Sequence, residues 1–318
     1  MSESKATYKK LQSEWPNLPL FFRPWYLDVT CGAENWDVAL SLDKGGKVQG
    51  VLPYFKSKKY TISHITMPML TPYLGPWFLY PTNMQKTVSK TSFEKKVLTD
   101  MLSKIPNVVL AKMHCHPDLT NVLAANWLGY ECKTRYTYVI KKENEENLWA
   151  ALDAKQRNII STAQDKFEVS SSTDIKSFYE MNKSSFNRKN ESIPYSLNFI
   201  NALFIELQEH NACELLMCSD DSGQLHSSAL FVRDKTSSYC LATGSDLKFK
   251  NSGAMPFLMW QGILASLKHT EKFNFEGGMI PNIEQFFRSF GGELTPYFRL
   301  EKSRSSFLKG IFTWTGKV

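Results

Sequence analysis

Between Leu148 and Leu300 the hydrophobic pattern changes period in a set order, and that order limits the fold more than any other feature of the 318-residue chain. A helical period runs from Leu148 to Asp165, with Leu148, Leu152, Ile159, Ile160 and Ala163 on or beside one stripe. Two further helical segments follow at 173–186 and 195–209. The period then falls to two in three strand-like runs, Cys213–Cys218, Leu225–Arg233 and Ser237–Ala242. Turn residues join them at Ser219–Gly223 and Asp234–Thr236. A helix at 254–268, a strand at 272–276, a short helix at 282–289 and a strand at 294–300 complete the series. This order predicts an α/β (mixed α+β) fold with a largely antiparallel mixed sheet and helices on both faces. The glycines at 277–278 and 291–292 form no GxGxxG fingerprint, and the chain has no GxxxxGK[ST] loop. Dinucleotide-dependent dehydrogenases and P-loop ATPases therefore lose support.

The first half is less regular. A polar lead-in over 1–23 precedes apolar runs at Trp25–Val29, Trp36–Leu42 and Val48–Phe55, the last two joined by a hairpin turn at Lys44–Lys47. The proline-rich stretch Thr66–Trp77 cannot be a helix and reads as an ordered, aromatic-lined loop. Helical text at 91–104 and 117–127 alternates with strands at Val108–Met113 and Tyr130–Val139. The charged segment 140–147 is the expected break between domains of ordinary size. The division is 1–145 and 146–300, with 301–318 either returning to the first domain or forming an exposed tail.

Composition narrows the function classes. At 42% hydrophobic and 13% aromatic residues, the chain can fill two cores without staples. The Met-Ser-Glu-Ser start has no apolar core of a secretory signal, and no apolar run reaches the length of a spanning helix. A cytoplasmic protein is expected. The six cysteines are scattered without a CxxC pair and read as free thiols in a reducing compartment. His114-Cys115-His116 resembles a ligand cluster, but strand neighbours face opposite sides and no further ligands lie nearby, so no metal is expected. The formal charge of +7 comes from dispersed lysines, which argues against nucleic acid and suits an anionic donor or plain solubility.

The local text of the second half is similar to the FemAB branch of the acetyltransferase (GNAT) superfamily. The resemblance rests on Lys155-Gln156-Arg157-Asn158-Ile159-Ile160, Phe186-Asn187-Arg188-Lys189, Ser227-Ser228-Ala229-Leu230 and Tyr239-Cys240-Leu241-Ala242-Thr243-Gly244-Ser245. It continues through Pro256-Phe257-Leu258-Met259-Trp260-Gln261-Gly262-Ile263, Phe273-Asn274-Phe275-Glu276-Gly277-Gly278 and Phe286-Phe287-Arg288-Ser289-Phe290-Gly291-Gly292. The first half resembles the family through Leu52-Pro53-Tyr54-Phe55 and the Pro72–Pro76 loop. Family members commonly carry basic residues at Ser161 and Thr162, Asp at Asn274 and Lys at Phe287. Those departures turn the expectation away from a tRNA-linked donor.

The resemblance implies two tandem domains of this fold and transfer of an acyl group to an amine. It also implies a cradle for the donor phosphates at the loop Thr243–Gly253 before a helix N-terminus, where Gly244 and Gly253 allow close approach and Lys248 and Lys250 add charge. Arg157 is a candidate phosphate or carboxylate clamp. Glu276, at a strand end before two glycines, is the candidate proton acceptor, and Asn274 shares its strand face as an orienter. Tyr239 is the candidate acid for a leaving thiolate. Tyr179, Asn187 and Arg188 bracket the acceptor side, and Trp25, Tyr73 and Trp77 offer an aromatic wall from the first domain. Plainer roles stand beside these: a surface loop at 243–253, a turn cap at Glu276, a core tyrosine at 239, a salt bridge from Arg157 to 142–146, and packing for the three first-domain aromatics.

The leading expectation is an N-acyltransferase that uses acyl-CoA or acetyl-CoA, with a carrier-linked donor as the variant, to modify an amine of a sugar, amino acid or peptide. The alternative is a non-catalytic binding or scaffold protein that retains the fold. A perturbed acid at Glu276 favours the enzyme, and a site plugged by Phe287 and Phe290 favours the scaffold.

Overall fold

The computed structural model describes residues 1–59, 62–187, 190–249 and 251–304. The chain forms two compact units. The first takes Met1–Trp15, Phe21–Arg135 and the described residues from Pro296 onward; the second takes Pro16–Leu20 and Tyr136–Thr295.

The first unit contains α1 (Glu3–Leu11), α2 (Pro24–Leu27), β1 (Trp36–Leu42), β2 (Val48–Lys59), β3 (Ile62–Thr66), β4 (Trp77–Phe78), α3 (Thr87–Lys104), β5 (Leu110–His114), α4 (Leu123–Trp127) and the start of β6 (Glu131–Lys141). Its strands run β1-β2-β3-β5-β12, with β4 on β2; β12 is Glu293–Ser303. The β1–β2 hairpin forms because the Asp43 carboxylate accepts the backbone N–H groups of Gly45 and Lys47 while Gly46 supplies a φ of 82°. Trp25–Val29 is helix and π-turn rather than extended chain, since Pro24 stands at the first helical position, where its fixed φ suits a helix. The core buries Leu52, Ile65, Val97, Met101, Met113 and Leu300 between the sheet and α3.

In the second unit, the helix expected over 148–165 is two helices, α5 (Glu145–Ala151) and α6 (Ala154–Gln164). Leu152 is extended and Asp153 caps α6 by accepting the Lys155 N–H, which restarts the helix. A further strand, β7 (Phe167–Ser171), pairs with β8 although its residues are mostly exposed and polar, which is why periodicity gave no sign of it. Then come α7 (Ile175–Asn187), α8 (Leu197–Glu209), β8 (Cys213–Asp220), β9 (Leu225–Arg233), β10 (Ser237–Ser245), α9 (Ala254–His269), β11 (Lys272–Asn274) and α10 (Pro281–Arg288). Strand order is β6-β11-β10-β9-β8-β7. The β10–β11 pair is parallel, and its neighbours are antiparallel.

A core of Leu258, Met259, Ile263, Phe231, Phe273 and Phe275 joins α9 to the sheet. A Cβ at Gly262 would lie 2.0 Å from the Phe231 ring, so only glycine lets α9 approach β9 this closely. Among the described residues no helix is long and apolar enough to cross a membrane.

Candidate functional site

Strand pairing positions the site. Register between β10 and β11 runs Ser237–Lys272, Ser238–Phe273 and Tyr239–Asn274, and β11 ends there while β10 continues to Ser245. From Cys240 onward, β10 has an edge without a β11 partner. On its other side, the ladder with β9 slips between Cys240 and Ala242, a bulge that takes Leu241 out of register.

Glu276 lies just beyond the end of β11. Asn274 Oδ1 accepts the Glu276 backbone N–H and the Thr137 hydroxyl, each at 2.7 Å. This Asx turn holds Glu276 at a φ of 62°, a left-handed conformation that costs a non-glycine residue of order 1 kcal/mol. Glu276 is partly exposed as a residue, but its Oε1 is sealed from solvent and has no hydrogen-bond partner among the described residues. Burial therefore pushes its carboxyl well above the ordinary value of 4.5. The buried Cys240 thiol is raised as well, by burial first and then by the nearby Glu276 charge. Phe287 stacks on Phe275 at 4.6 Å and Phe290 tilts against it at 5.7 Å, so both rings pack on the residue that alternates with Asn274 and Glu276.

Tyr239 is fully buried, and its hydroxyl donates to Asp234 Oδ2 at 3.2 Å. The other oxygen of Asp234 accepts from Thr236 and Ser237, so the phenol is tied to the turn that begins β10. Arg157 Nη1 donates to the carbonyls of Ala150 and Leu152 at 3.0 and 2.7 Å. It closes the C-terminus of α5 through this one nitrogen, and among the described residues it makes no ion pair with the acidic 142–146 segment.

The glycines are also explained by packing. A Cβ on Gly244 would fall 2.6 Å from the Asn182 backbone nitrogen, so this glycine brings β10 against α7. Gly253 is the left-handed N-cap of α9, with Ile159 and Ala163 of α6 at 3.3 Å from a built Cβ. At the same helix start, Ser252 accepts the Ala254 N–H and Pro256 lacks one, which lowers the number of free donors. Lys248 is exposed, and its backbone N–H caps onto Asp246. Lys250 and Arg188 lie outside the described residues.

Tyr179 donates to the Tyr195 carbonyl at 3.3 Å, and Tyr195 donates to Asn182, which in turn donates to the Thr243 carbonyl. The far end of β10 is thus hydrogen-bonded to α7. Asn187 is exposed at the end of that helix. In the first unit Tyr73 is fully buried, edge-on to Phe21, His116 and Tyr297. Trp77 packs on Phe22 and His116, and Trp25 is half-buried beside Tyr26. No group of His, Cys, Asp and Glu among the described residues could hold a metal ion.

A cavity of about 590 Å³ lies between α6, the first turn of α9, and α10. Asp153, Lys155 and Gln156 line one side, Pro256 a second, and Asn282, Gln285, Phe286, Arg288 and Ser289 the third. Gln156 is buried, and its Nε2 has no hydrogen-bond partner among the described residues. An unpaired buried donor beside an open cavity is costly unless a ligand meets it. These residues are missing from the sequence expectation. The spacing of Asn282, Gln285, Phe286 and Ser289, all on one face of a helical turn, was the available signal.

Residues 154–275 match the family model described as an acetyltransferase (GNAT) domain. No curated protein matches the chain significantly. Among solved structures, FemX superposes with a TM-score of 0.66 at 13% identity, covering 94% of this chain and 96% of its own. L-PGS from Bacillus licheniformis gives 0.53 at 10% identity over 91% and 90%. A tandem GNAT protein from the clavulanic acid biosynthesis pathway gives 0.50 at 8% identity over 89% and 94%. Residues 154–275 are thus similar to the acetyltransferase (GNAT) domain, and the chain as a whole shares the fold of FemX.

Proposed function

We propose that this protein is an N-acyltransferase that moves an acyl group from acyl-CoA to an amine of a small molecule or peptide. The observation that carries the reading is Glu276: a carboxyl with a sealed oxygen that has no partner among the described residues, held by Asn274 in a left-handed turn where β10 and β11 part. A carboxyl raised in this way is a stronger base than a solvated one once ionised, and it follows the end of β11, beyond which β10 runs on without that partner.

In the proposed reaction the unprotonated amine attacks the thioester carbonyl carbon and the C–N bond forms. The oxyanion is stabilised by backbone N–H groups on the unpaired edge of β10 around the Leu241 bulge. Glu276 takes the proton from the amine nitrogen. The C–S bond then breaks, and the thiolate leaves and receives that proton. Asn274 positions Glu276, and Tyr239 anchors the start of β10 through Asp234. The polar end of the donor occupies the cavity beside α9, with Lys155 and Arg288 facing its phosphates and Gln156 Nε2 donating to it. The six free cysteines suit the reducing, cytoplasmic setting in which such donors occur.

Calorimetric titration with acetyl-CoA, with free and desulfo-CoA as controls, tests the donor. Saturable one-to-one binding, weakened about tenfold by Lys155→Met or Arg288→Met, is expected from the loss of one charge-assisted contact. Absence of binding to all three ligands removes the CoA donor and turns the search to carrier-linked donors. Absence of transfer from any donor class leaves a binding protein that retains the fold.

A further inference from the structure

The first unit carries a second cluster that acyl transfer does not use. Residues two apart on a strand share a face, and the β5–β12 register sets Lys112 opposite Glu301 and His114 opposite Arg299. Tyr297 lies on the same side of β12, its ring 6.1 Å from that of His114. Arg135 reaches it from β6 and donates Nε to the Tyr297 hydroxyl at 3.1 Å. Three cations, Lys112, Arg135 and Arg299, thus converge on one patch.

The carboxylate available to them is already engaged. Glu301 is buried, and its Oε2 accepts both Nε and Nη2 of Arg299, with Lys133 at 3.8 Å. Lys112 is half-buried and has neither an ion pair nor a hydrogen bond from its ammonium among the described residues. Its pKa is lowered by burial, then by Arg299, with Arg135 adding to the effect and Glu301 opposing it. His114 is pushed down to about 3 by burial and then by Arg135, Lys112 and Arg299, so it is neutral, and its Nε2 is sealed without a partner among the described residues. Partly desolvated like charges repel, and an imidazole nitrogen without a partner adds a further cost. An oxyanion placed among these groups would offset the repulsion that Glu301 alone leaves.

We propose that Lys112, Arg135 and Arg299 form a binding site for a phosphate-type oxyanion on the first unit. Arg135 keeps both terminal guanidinium nitrogens without a partner among the described residues, and Arg299 keeps Nη1, so each can present N–H donors to phosphate oxygens. Lys112 supplies a point charge between them, and protonated His114 is not required. The site stands apart from the acyl-transfer reading and does not depend on it.

The test is thermal melting of the full-length protein with orthophosphate, glycerol phosphate and a nucleoside diphosphate, each against sodium chloride at equal ionic strength. A saturable rise in melting temperature with at least one phosphate probe is expected, and the probe giving the largest rise separates a free phosphate from a phosphate ester. Lys112→Met should have two effects of opposite sign. Without ligand it should melt higher than the wild type, because a repelled, desolvated cation is gone. With the phosphate probe its half-saturating concentration should rise about tenfold. Arg135→Lys, which keeps the charge and loses the fork, should weaken the response while leaving the unliganded melting temperature within a degree or so. Equal shifts with phosphate and chloride would overturn the proposal, as would an unchanged phosphate response in both variants.

Discussion

Glu276 brings backbone strain, burial and charge together in one residue, and its contribution to stability has a definite sign. Below about its ordinary value of 4.5 the carboxyl is neutral in both folded and unfolded chains. As pH rises, the unfolded chain releases the proton first, because the folded pKa is raised. Stability present below the ordinary value is therefore lost progressively as pH climbs through the folded value. Glu276→Gln stays neutral and removes that slope. Its melting temperature relative to the wild type should increase between about pH 5 and about pH 8, and a constant offset across that range would count against a raised carboxyl. The same variant should lose about a hundredfold in kcat if Glu276 is the proton acceptor, measured by thiol release from the acyl donor. The sequence gives a carboxyl at a strand end; what sets it apart from a solvated one is the Asn274 turn and the seal over Oε1, both products of packing.

At the scale of elements, two candidates of the sequence reading have measurable structural roles. Arg157 joins α5 to α6 by donating to two carbonyls at the end of α5. Arg157→Ala should lower unfolding stability by about 2 kcal/mol while leaving acetyl-CoA affinity within about twofold. A loss of affinity with stability intact would instead mark Arg157 as a donor clamp. Gly244 lies against the Asn182 and Met181 backbone, where a methyl group has no room. Gly244→Ala should shift the denaturation midpoint by an amount corresponding to about 3 kcal/mol, since neither β10 nor α7 can yield without breaking the Asn182–Thr243 and Ser185–Ser245 hydrogen bonds. The elements themselves were legible where they are amphipathic: α7 through β10 and α9 through β12 fall within a few residues of the expected spans. Missing were β7, whose side chains are mostly exposed, and the break before α6, which depends on one aspartate cap rather than on hydrophobic period.

For the whole molecule, the telling feature is that the first unit draws on both ends of the described chain. Its β5 takes the C-terminal strand as partner through Arg299–Ser303, and Leu300 is fully buried in its core. Truncation after Thr295 should leave β5 with an open edge and an empty site at Leu300, and limited proteolysis should then cut within the first unit. Leu300→Ala alone should cost about 3 kcal/mol; a near-neutral effect, read from urea denaturation, would mean that the strand contributes little to that core. The change from the first unit to the second falls inside β6 at Arg135 and Tyr136, upstream of the charged 140–147 segment. Strand text continues through that point, so composition carries no mark of it.

What the sequence determined by itself was local: the order of helices and strands, the glycine turns, the strand-end carboxylate with its partner two residues earlier, and the resemblance those carry. Periodicity encodes which face of an element is apolar, and that suffices for the class of fold. The tertiary structure alone decided which distant side chains meet. The cavity joins segments near residues 153, 256 and 285, and the cationic patch joins Lys112, Arg135 and Arg299 across three strands. Such groupings follow from register and helix packing, which depend on the summed burial of the whole core and leave no spacing in the chain to read.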